Sequence, residues 1–181
     1  MANELHYQIL AGLPGEGPLP LQFSANGQGL HSEGFVVLFS VAGQPSWVGN
    51  FQPGFSKFNC VLNGDSAFNV TVVAGGQGYV VDLRNGALIK YFGGDVEYMV
   101  NIPEREVTLI SNGIWLQLLS GGAEVWCTER LSLDGIQDIF ISVEDGVITG
   151  QGWYLEDAWY PFEVDLSSGK ARGGAFELAD L

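Results

Sequence analysis

Positive charge is scarce in this sequence. The 181 residues include seven lysines and arginines against 21 aspartates and glutamates, so the formal net charge is −14. Nucleic-acid binding requires Lys and Arg to neutralise phosphates, and anionic membrane surfaces attract the same cations. We therefore expect neither nucleic acid nor a membrane as a partner.

The residue types that most often build catalytic or metal sites are also few. There are two cysteines and two histidines. Cys60 and Cys127 are far apart and each has apolar neighbours, which is typical of small core residues. His6 and His31 lack the spacing of metal ligands, and no serine lies in a Gly-x-Ser-x-Gly sequence. The sequence thus predicts no metal, no cofactor and no catalytic group, and we expect a protein that is not an enzyme.

Long apolar runs are missing as well. No stretch approaches the roughly 18 residues that a membrane-spanning helix needs. The first ten residues, MANELHYQIL, contain Glu4 and lack the basic region of a secretory signal. These features favour a cytoplasmic location.

Helical periodicity is absent, because no stretch of ten or more residues keeps apolar positions three and four apart without Gly or Pro. Short runs rich in Val, Ile, Phe, Tyr and Trp alternate instead with turn residues, which predicts an antiparallel all-β protein. The predicted strands lie near residues 5–11, 19–24, 35–41, 45–51, 70–74, 78–83, 87–92, 96–101, 106–111, 114–119, 123–130, 139–143, 146–150, 152–156, 159–166 and 171–177.

A short phrase recurs in the turns. Residues 81–86 read Val-Asp-Leu-Arg-Asn-Gly and residues 164–169 read Val-Asp-Leu-Ser-Ser-Gly, with fainter copies near residues 117–122 and 38–43. The glycines that close the four copies have a mean spacing of 42 residues, and aromatic residues recur near them. These glycines are Gly43, Gly86, Gly122 and Gly169. A period of about 40 to 45 residues is typical of one small sheet per repeat. The repeat aromatics are Trp47, Tyr79, Tyr91, Trp115, Trp126 and Phe162.

The phrase Val-Asp-Leu-x-x-Gly resembles the strand-closing turn of YVTN and PQQ-type β-propeller blades, and the period is similar to that of WD-type blades. The chain as a whole resembles small bacterial β-propeller-type repeat proteins of unassigned function. That resemblance implies one domain, residues 1–181, built as a four-bladed propeller, with a β-sandwich as the alternative. No residues of a tryptophan-docking motif can be identified from the sequence, and no cofactor is implied. The expected units are residues 1–54, 55–94, 95–135 and 136–181.

The acidic residues are unevenly distributed. Residues 1–90 contain five acids and three cations, whereas residues 91–181 contain sixteen acids and four cations. The electrostatic field of such an acidic region attracts basic partners and speeds their encounter. We therefore expect a non-catalytic module that binds a basic protein, as an immunity-type or adaptor protein of bacteria would. Acidity that only maintains solubility is the plainer interpretation.

One segment combines acids with aromatic side chains, which is the composition of many interface centres. The same segment permits an alternative function, a small-ligand or carbohydrate-binding β-protein or even a hydrolase, because aromatic rings stack on sugars and paired carboxylates hydrolyse glycosides. An oligomeric scaffold is a third possibility, and the sequence leaves the oligomeric state open. The candidate surface consists of Trp153, Tyr154, Glu156, Asp157, Trp159 and Tyr160.

Overall fold

The structure, a computed structural model, describes residues 6–26, 29, 31–41, 43–64 and 68–176. The described chain forms sixteen strands in four four-stranded sheets, with one short 3-10 helix at Pro103–Arg105. The predicted all-β, propeller-like repeat of four sheets is confirmed. None of the described residues belongs to a helix long and apolar enough to cross a membrane.

Sheet I contains β1 (His6–Leu10), β2 (Leu21–Phe23), β3 (Phe35–Ser40) and β4 (Trp47–Phe51). Sheet II contains β5 (Cys60–Asn63), β6 (Asn69–Ala74), β7 (Gln77–Asp82) and β8 (Ala87–Gly93). Sheet III contains β9 (Tyr98–Ile102), β10 (Val107–Ser111), β11 (Leu116–Ser120) and β12 (Ala123–Cys127). Sheet IV contains β13 (Ile136–Ser142), β14 (Val147–Tyr154), β15 (Ala158–Asp165) and β16 (Ala171–Gly173).

The chain divides into two compact units, Met1–Val96 and Glu97–Leu181, and each contains two of the sheets. In the first unit, apolar side chains of sheets I and II share one core, in which the Phe51 ring lies 4.5 Å from Phe23 and 5.5 Å from Tyr79. In the second unit, sheets III and IV share a second core that contains Leu109 and Ile148. Each unit therefore buries one face of each sheet against the other sheet of the same unit.

The recurring phrase closes a turn of the same form in both units. The carbonyl oxygens of Asp82 and Asp165 accept hydrogen bonds from the N–H groups of Gly86 and Gly169, both at 2.8 Å. The two glycines have φ values of 66° and 70°, a region that L side chains rarely adopt. The glycine is thus required by the backbone of the turn.

A tryptophan links the two sheets of each unit at this turn. The indole Nε1–H of Trp47, on sheet I, donates to the carbonyl oxygen of Leu83 at 3.1 Å. In the second unit, Trp126 of sheet III donates in the same way to Leu166 at 3.0 Å. The sequence identifies both tryptophans as repeat aromatics, but only the structure shows that they dock on the turn of the next sheet.

Two predicted strand assignments differ from the structure. Strand β5 was not predicted, because its four residues lie between Asn59 and Gly64 and read as part of a loop. The strands predicted at 146–150 and 152–156 are the single strand β14. Gly150, the last residue of the first of these predicted strands, is a close-packing position, since a Cβ there would lie 2.5 Å from the ring of Phe162.

Sheet I is not wholly antiparallel, contrary to expectation. Strand β2 lies beyond β4 and runs parallel to it, with Gln22 opposite Asn50. The side chains of these two residues are joined by a hydrogen bond of 2.8 Å from the Asn50 amide to the Gln22 oxygen. Residues 24–34 separate β2 from β3, so a tight hairpin does not constrain the direction of β2.

Candidate interaction surface

The candidate surface lies on the β14–β15 hairpin. Trp153 and Trp159 are directly opposite each other across the two strands. Side chains alternate between the two faces of a sheet, and opposed residues share a face. The two tryptophans therefore form a pair on one face, where Trp159 is 38% exposed.

The two predicted carboxylates occupy the tip of this hairpin. Glu156 and Asp157 lie in the turn between the paired residues Tyr154 and Ala158 and have positive φ values of 64° and 55°. The N–H of Ala158 reaches back to the carbonyl oxygen of Leu155 at 3.4 Å. Both carboxylates are exposed, so the turn presents two negative charges to solvent.

The two predicted tyrosines lie on the other face of the hairpin. The rings of Tyr154 and Tyr160 meet edge to face with centroids 6.1 Å apart, and Tyr154 meets Phe176 in the same way at 5.9 Å. The guanidinium of Arg130 lies 5.0 Å from the centroid of the Phe176 ring. The tyrosines thus pack against neighbouring residues on the face opposite the two tryptophans.

The tryptophan pair belongs to a larger exposed face of sheet IV, which we call the open face. Its next row contains Gln151 opposite Pro161, and the following row contains Thr149 opposite Glu163. A groove of about 500 Å³ lies along these rows. Its charged lining residues are Asp138, Glu163 and Arg172.

The sequence predicts only the two tryptophans of the open face. Phe140 lies on it opposite Thr149 and is 67% exposed. A signal was present, because polar residues alternate with Gly from Thr149 to Gly152 before Trp153. That alternation indicates a strand with one exposed face. The two strands predicted at 146–150 and 152–156 divide it at Gln151.

The second unit carries a dense array of exposed carboxylates. All thirteen acids in its described part are exposed, against four cations, Arg105, Arg130, Lys170 and Arg172. The loop before β13 brings one of these acids, Asp134, to the hairpin, since a Cβ on the adjacent Gly135 would lie 3.7 Å from the Trp159 ring. The acids are Glu97, Glu104, Glu106, Glu124, Glu129, Asp134, Asp138, Glu144, Asp145, Glu156, Asp157, Glu163 and Asp165.

The raised pKa values of the two cysteine thiols disfavour their thiolate forms, and the hydroxyl of Ser132, in the loop beside the hairpin, is bound to the backbone. Burial raises the pKa of the Cys60 thiol to about 11, and burial together with the charge of Glu124 raises the pKa of Cys127. The hydroxyl of Ser132, which is fully buried, donates to the carbonyl oxygen of Gly135 and accepts from the N–H of Trp153. In the described part of the chain, no three His, Cys, Asp or Glu side chains are grouped as metal ligands. Through its hydrogen bonds to Gly135 and Trp153, Ser132 holds the loop beside the hairpin in place.

We expect the free energy of unfolding at acidic pH to depend on Asp165. Hydrogen bonds from the side chains of Ser167 and Ser168, followed by their backbone N–H groups, lower the pKa of Asp165 to about 2. A lowered pKa stabilises the fold above the ordinary value near 3.8, and this stabilisation is lost as pH falls towards 2. Asp165→Asn keeps an acceptor oxygen but cannot titrate. We expect the stability advantage of the wild type over this variant to shrink between about pH 4 and pH 2.

The measurement is urea unfolding at a series of pH values. Asp157→Asn is the matched control, because the exposed Asp157 carboxylate has no hydrogen-bond partner among the described residues. Comparison with this control separates the effect of the serine hydrogen bonds from the effect of removing one negative charge. A constant difference for Asp165→Asn would show that the serine hydrogen bonds do not stabilise the charged form.

The sequence matches no protein-family model and no curated protein. Solved structures do match. One, a crystal structure of the eukaryotic initiation factor, has a TM-score of 0.46 and 10% identity, with 78% of this chain and 40% of that chain covered. Another, the WD40 β-propeller domain of Doa1, has a TM-score of 0.46 and 14% identity, with 76% and 47% covered. The chain thus spans less than half the length of each of these two solved chains.

Proposed function

We propose that this protein is a non-catalytic interaction module whose second unit binds a basic protein. The observation that carries the proposal is the exposure of every described acid of that unit, with few cations to compensate them. Exposed charges of one sign speed the encounter with an oppositely charged partner and contribute little to the fold. An immunity-type protein and an adaptor are two forms that this role takes.

The hairpin supplies the centre of the proposed interface. Trp153 and Trp159 are side by side on the open face, and aromatic anchors of this kind dominate many interfaces. Glu156 and Asp157 at the tip, with Asp134 in the adjoining loop, form an acidic rim at this end of the sheet. A partner with Lys or Arg around an apolar contact fits both features.

The test compares two variants of equal charge. The rim variant combines Asp134→Asn, Glu156→Gln and Asp157→Asn. The control variant combines Glu104→Gln, Glu106→Gln and Glu144→Gln, whose side chains are exposed elsewhere in the second unit. Each full-length protein is immobilised, and the proteins retained from lysate are quantified by mass spectrometry at low and physiological salt.

We expect a defined basic protein to be retained by the wild type and the control, and its retention to fall by about tenfold or more with the rim variant. Trp159→Ala should weaken retention without a change in salt dependence. Two outcomes would contradict the proposal: no basic protein is retained by the wild type, or both triple variants lose it equally.

The groove supports a second candidate, the binding of a carbohydrate or another small polar ligand. Gln151, Glu163 and Arg172 offer hydrogen-bonding groups along the groove, and the tryptophan pair continues the same face. Sugar sites combine such polar groups with aromatic rings. The carboxylates of Asp138 and Glu163 both line the groove and are the pair to test for hydrolysis.

A glycan array with the wild type and the double variant Trp153→Ala/Trp159→Ala tests carbohydrate binding. Equal binding by both proteins would exclude the site.

A further inference from the structure

A bulge in β13 adds one side chain to the open face of sheet IV. The register of β13 against β14 shifts between Gln137 and Phe140, where β13 has one residue more than its partner. Ile139 packs against the core of the second unit. Gln137, Asp138 and Phe140 are all exposed, although side chains of a regular strand would alternate between the two faces. The bulge therefore turns the Asp138 carboxylate to the exposed side, where it lines the groove.

The backbone of Asp138 is unusual for its place in the fold. Its φ is 54°, a region that few residues other than glycine adopt. The other described non-glycine residues with positive φ, which are Glu106, Glu156 and Asp157, all lie in turns. Asp138 lies inside a strand, and its conformation fixes the direction of a side chain that borders a cavity.

A second carboxylate reaches the groove from the other side of β14. Glu163 is on β15 and Asp138 is on β13, so their backbones are separated by two strand spacings, about 10 Å in total. Neither carboxylate has a hydrogen bond or an ion pair with another residue in the described part of the chain. This includes Arg172, which lies opposite Glu163 on β16. Two negative charges of the groove are thus available to a ligand.

The other groups along the groove suit a guanidinium. Its five N–H donors lie in one plane and can serve both carboxylates at once, which a compact ammonium does less well. Phe140 lies beside Thr149 in the adjoining row and is 67% exposed, and guanidinium groups stack on aromatic rings. Pro161 offers an apolar wall for the alkyl part of an arginine side chain.

We propose that the groove binds an arginine side chain of the basic partner, with the guanidinium between the carboxylates of Asp138 and Glu163. This inference rests on the proposed function, because it names the group through which that partner is bound on the open face. Charge selects the occupant. The described part of the second unit has thirteen exposed acids against four cations, and a second copy of the chain has a net charge of −14. Both an anionic ligand and a second copy are therefore disfavoured.

The experiment uses a small probe, N-acetyl-arginine amide, titrated into the isotope-labelled full-length protein and followed by two-dimensional amide NMR. N-acetyl-citrulline amide is the matched ligand, since its side chain has nearly the same shape without the charge. Asp138→Asn is the test variant. Asp157→Asn is its control, because Asp157 is also an exposed aspartate with a positive φ, 55°, and does not line the groove. Asn adopts positive φ as readily as Asp, so both variants keep a compatible backbone.

We expect the arginine probe to shift the amide resonances of Thr149 and Glu163, and to bind Asp138→Asn about fivefold more weakly than Asp157→Asn. Arg172→Gln should bind the probe more tightly, because it removes a competing positive charge from the groove. The inference is overturned if the arginine and citrulline amides bind equally, if the two aspartate variants bind equally, or if Arg172→Gln weakens binding.

The probe needs no partner protein, so this inference and the proposed function can fail separately. Retention of a basic protein from lysate, without binding of the arginine amide in the groove, would overturn the inference and leave the proposed function standing. Binding of the amide in the groove, without retention of a basic protein, would support the groove's specificity and contradict the proposed function alone.

Discussion

Replacing Phe51 with alanine is expected to lower the free energy of unfolding by about 3 to 5 kcal/mol. Phe51 is fully buried on β4, and its ring stacks on Phe23 and lies near Phe39 and Tyr79. Phe51, Phe23 and Phe39 belong to sheet I and Tyr79 belongs to sheet II, so the cavity would open where the two sheets of the first unit meet. Truncation removes the transfer free energy of the ring and leaves contacts unfilled.

The matched control for this prediction is Phe55→Ala. Phe55 is 95% exposed in the same unit, so the same chemical change should alter the free energy of unfolding by less than about 0.5 kcal/mol. Both variants are compared with the wild type by urea unfolding followed by circular dichroism. If the two substitutions cost the same, the aromatic cluster does not hold sheets I and II together.

Replacing Gly169 with alanine is expected to lower the free energy of unfolding by about 3 kcal/mol, the sum of backbone strain and a steric clash. Gly169 has a φ of 70°, and a Cβ there would lie within 2.7 to 2.8 Å of three Trp126 ring atoms. The ring must then move away from the turn. Its hydrogen bond to the Leu166 carbonyl would lengthen or break.

Gly146→Ala separates the two contributions. Gly146 has a φ of 69°, but nothing lies within 4 Å of a Cβ at that position. This variant should therefore show only the backbone strain, about 1 kcal/mol. Urea unfolding gives both free energies, and tryptophan fluorescence reports displacement of Trp126. Equal losses for the two variants would show that the tryptophan adapts to the added methyl group.

The sheets were predictable because their signals are local. Alternating apolar residues and turn glycines are read within a few residues, and the phrase ending in Gly86 and Gly169 identifies the same turn twice. Strand β5 was missed because four residues between Asn and Gly carry little local pattern. Strand β14 is predicted as two strands because the reason for its glycines lies in distant parts of the chain. These glycines approach Phe162 and the carbonyl oxygen of Leu131 closely.

The residue types of the candidate surface were predictable from the sequence, but their arrangement on the two faces of the sheet was not. Its acids and aromatics are adjacent in the sequence, but hairpin register places Trp153 and Trp159 on one face and the tyrosines on the other. The groove includes Arg172 of β16, which becomes a neighbour of Glu163 only through strand pairing. Pairing partners distant in sequence leave no signal within one segment.

The sequence alone determined the all-β class, the period of about 42 residues and the acidic second half, because these depend on residue type and spacing. Only the tertiary structure decided the docking of Trp47 and Trp126 and the open face of sheet IV. Each of these depends on which strands and sheets become neighbours. That choice is made by packing among residues far apart in the chain, where shape and burial decide more than local preference.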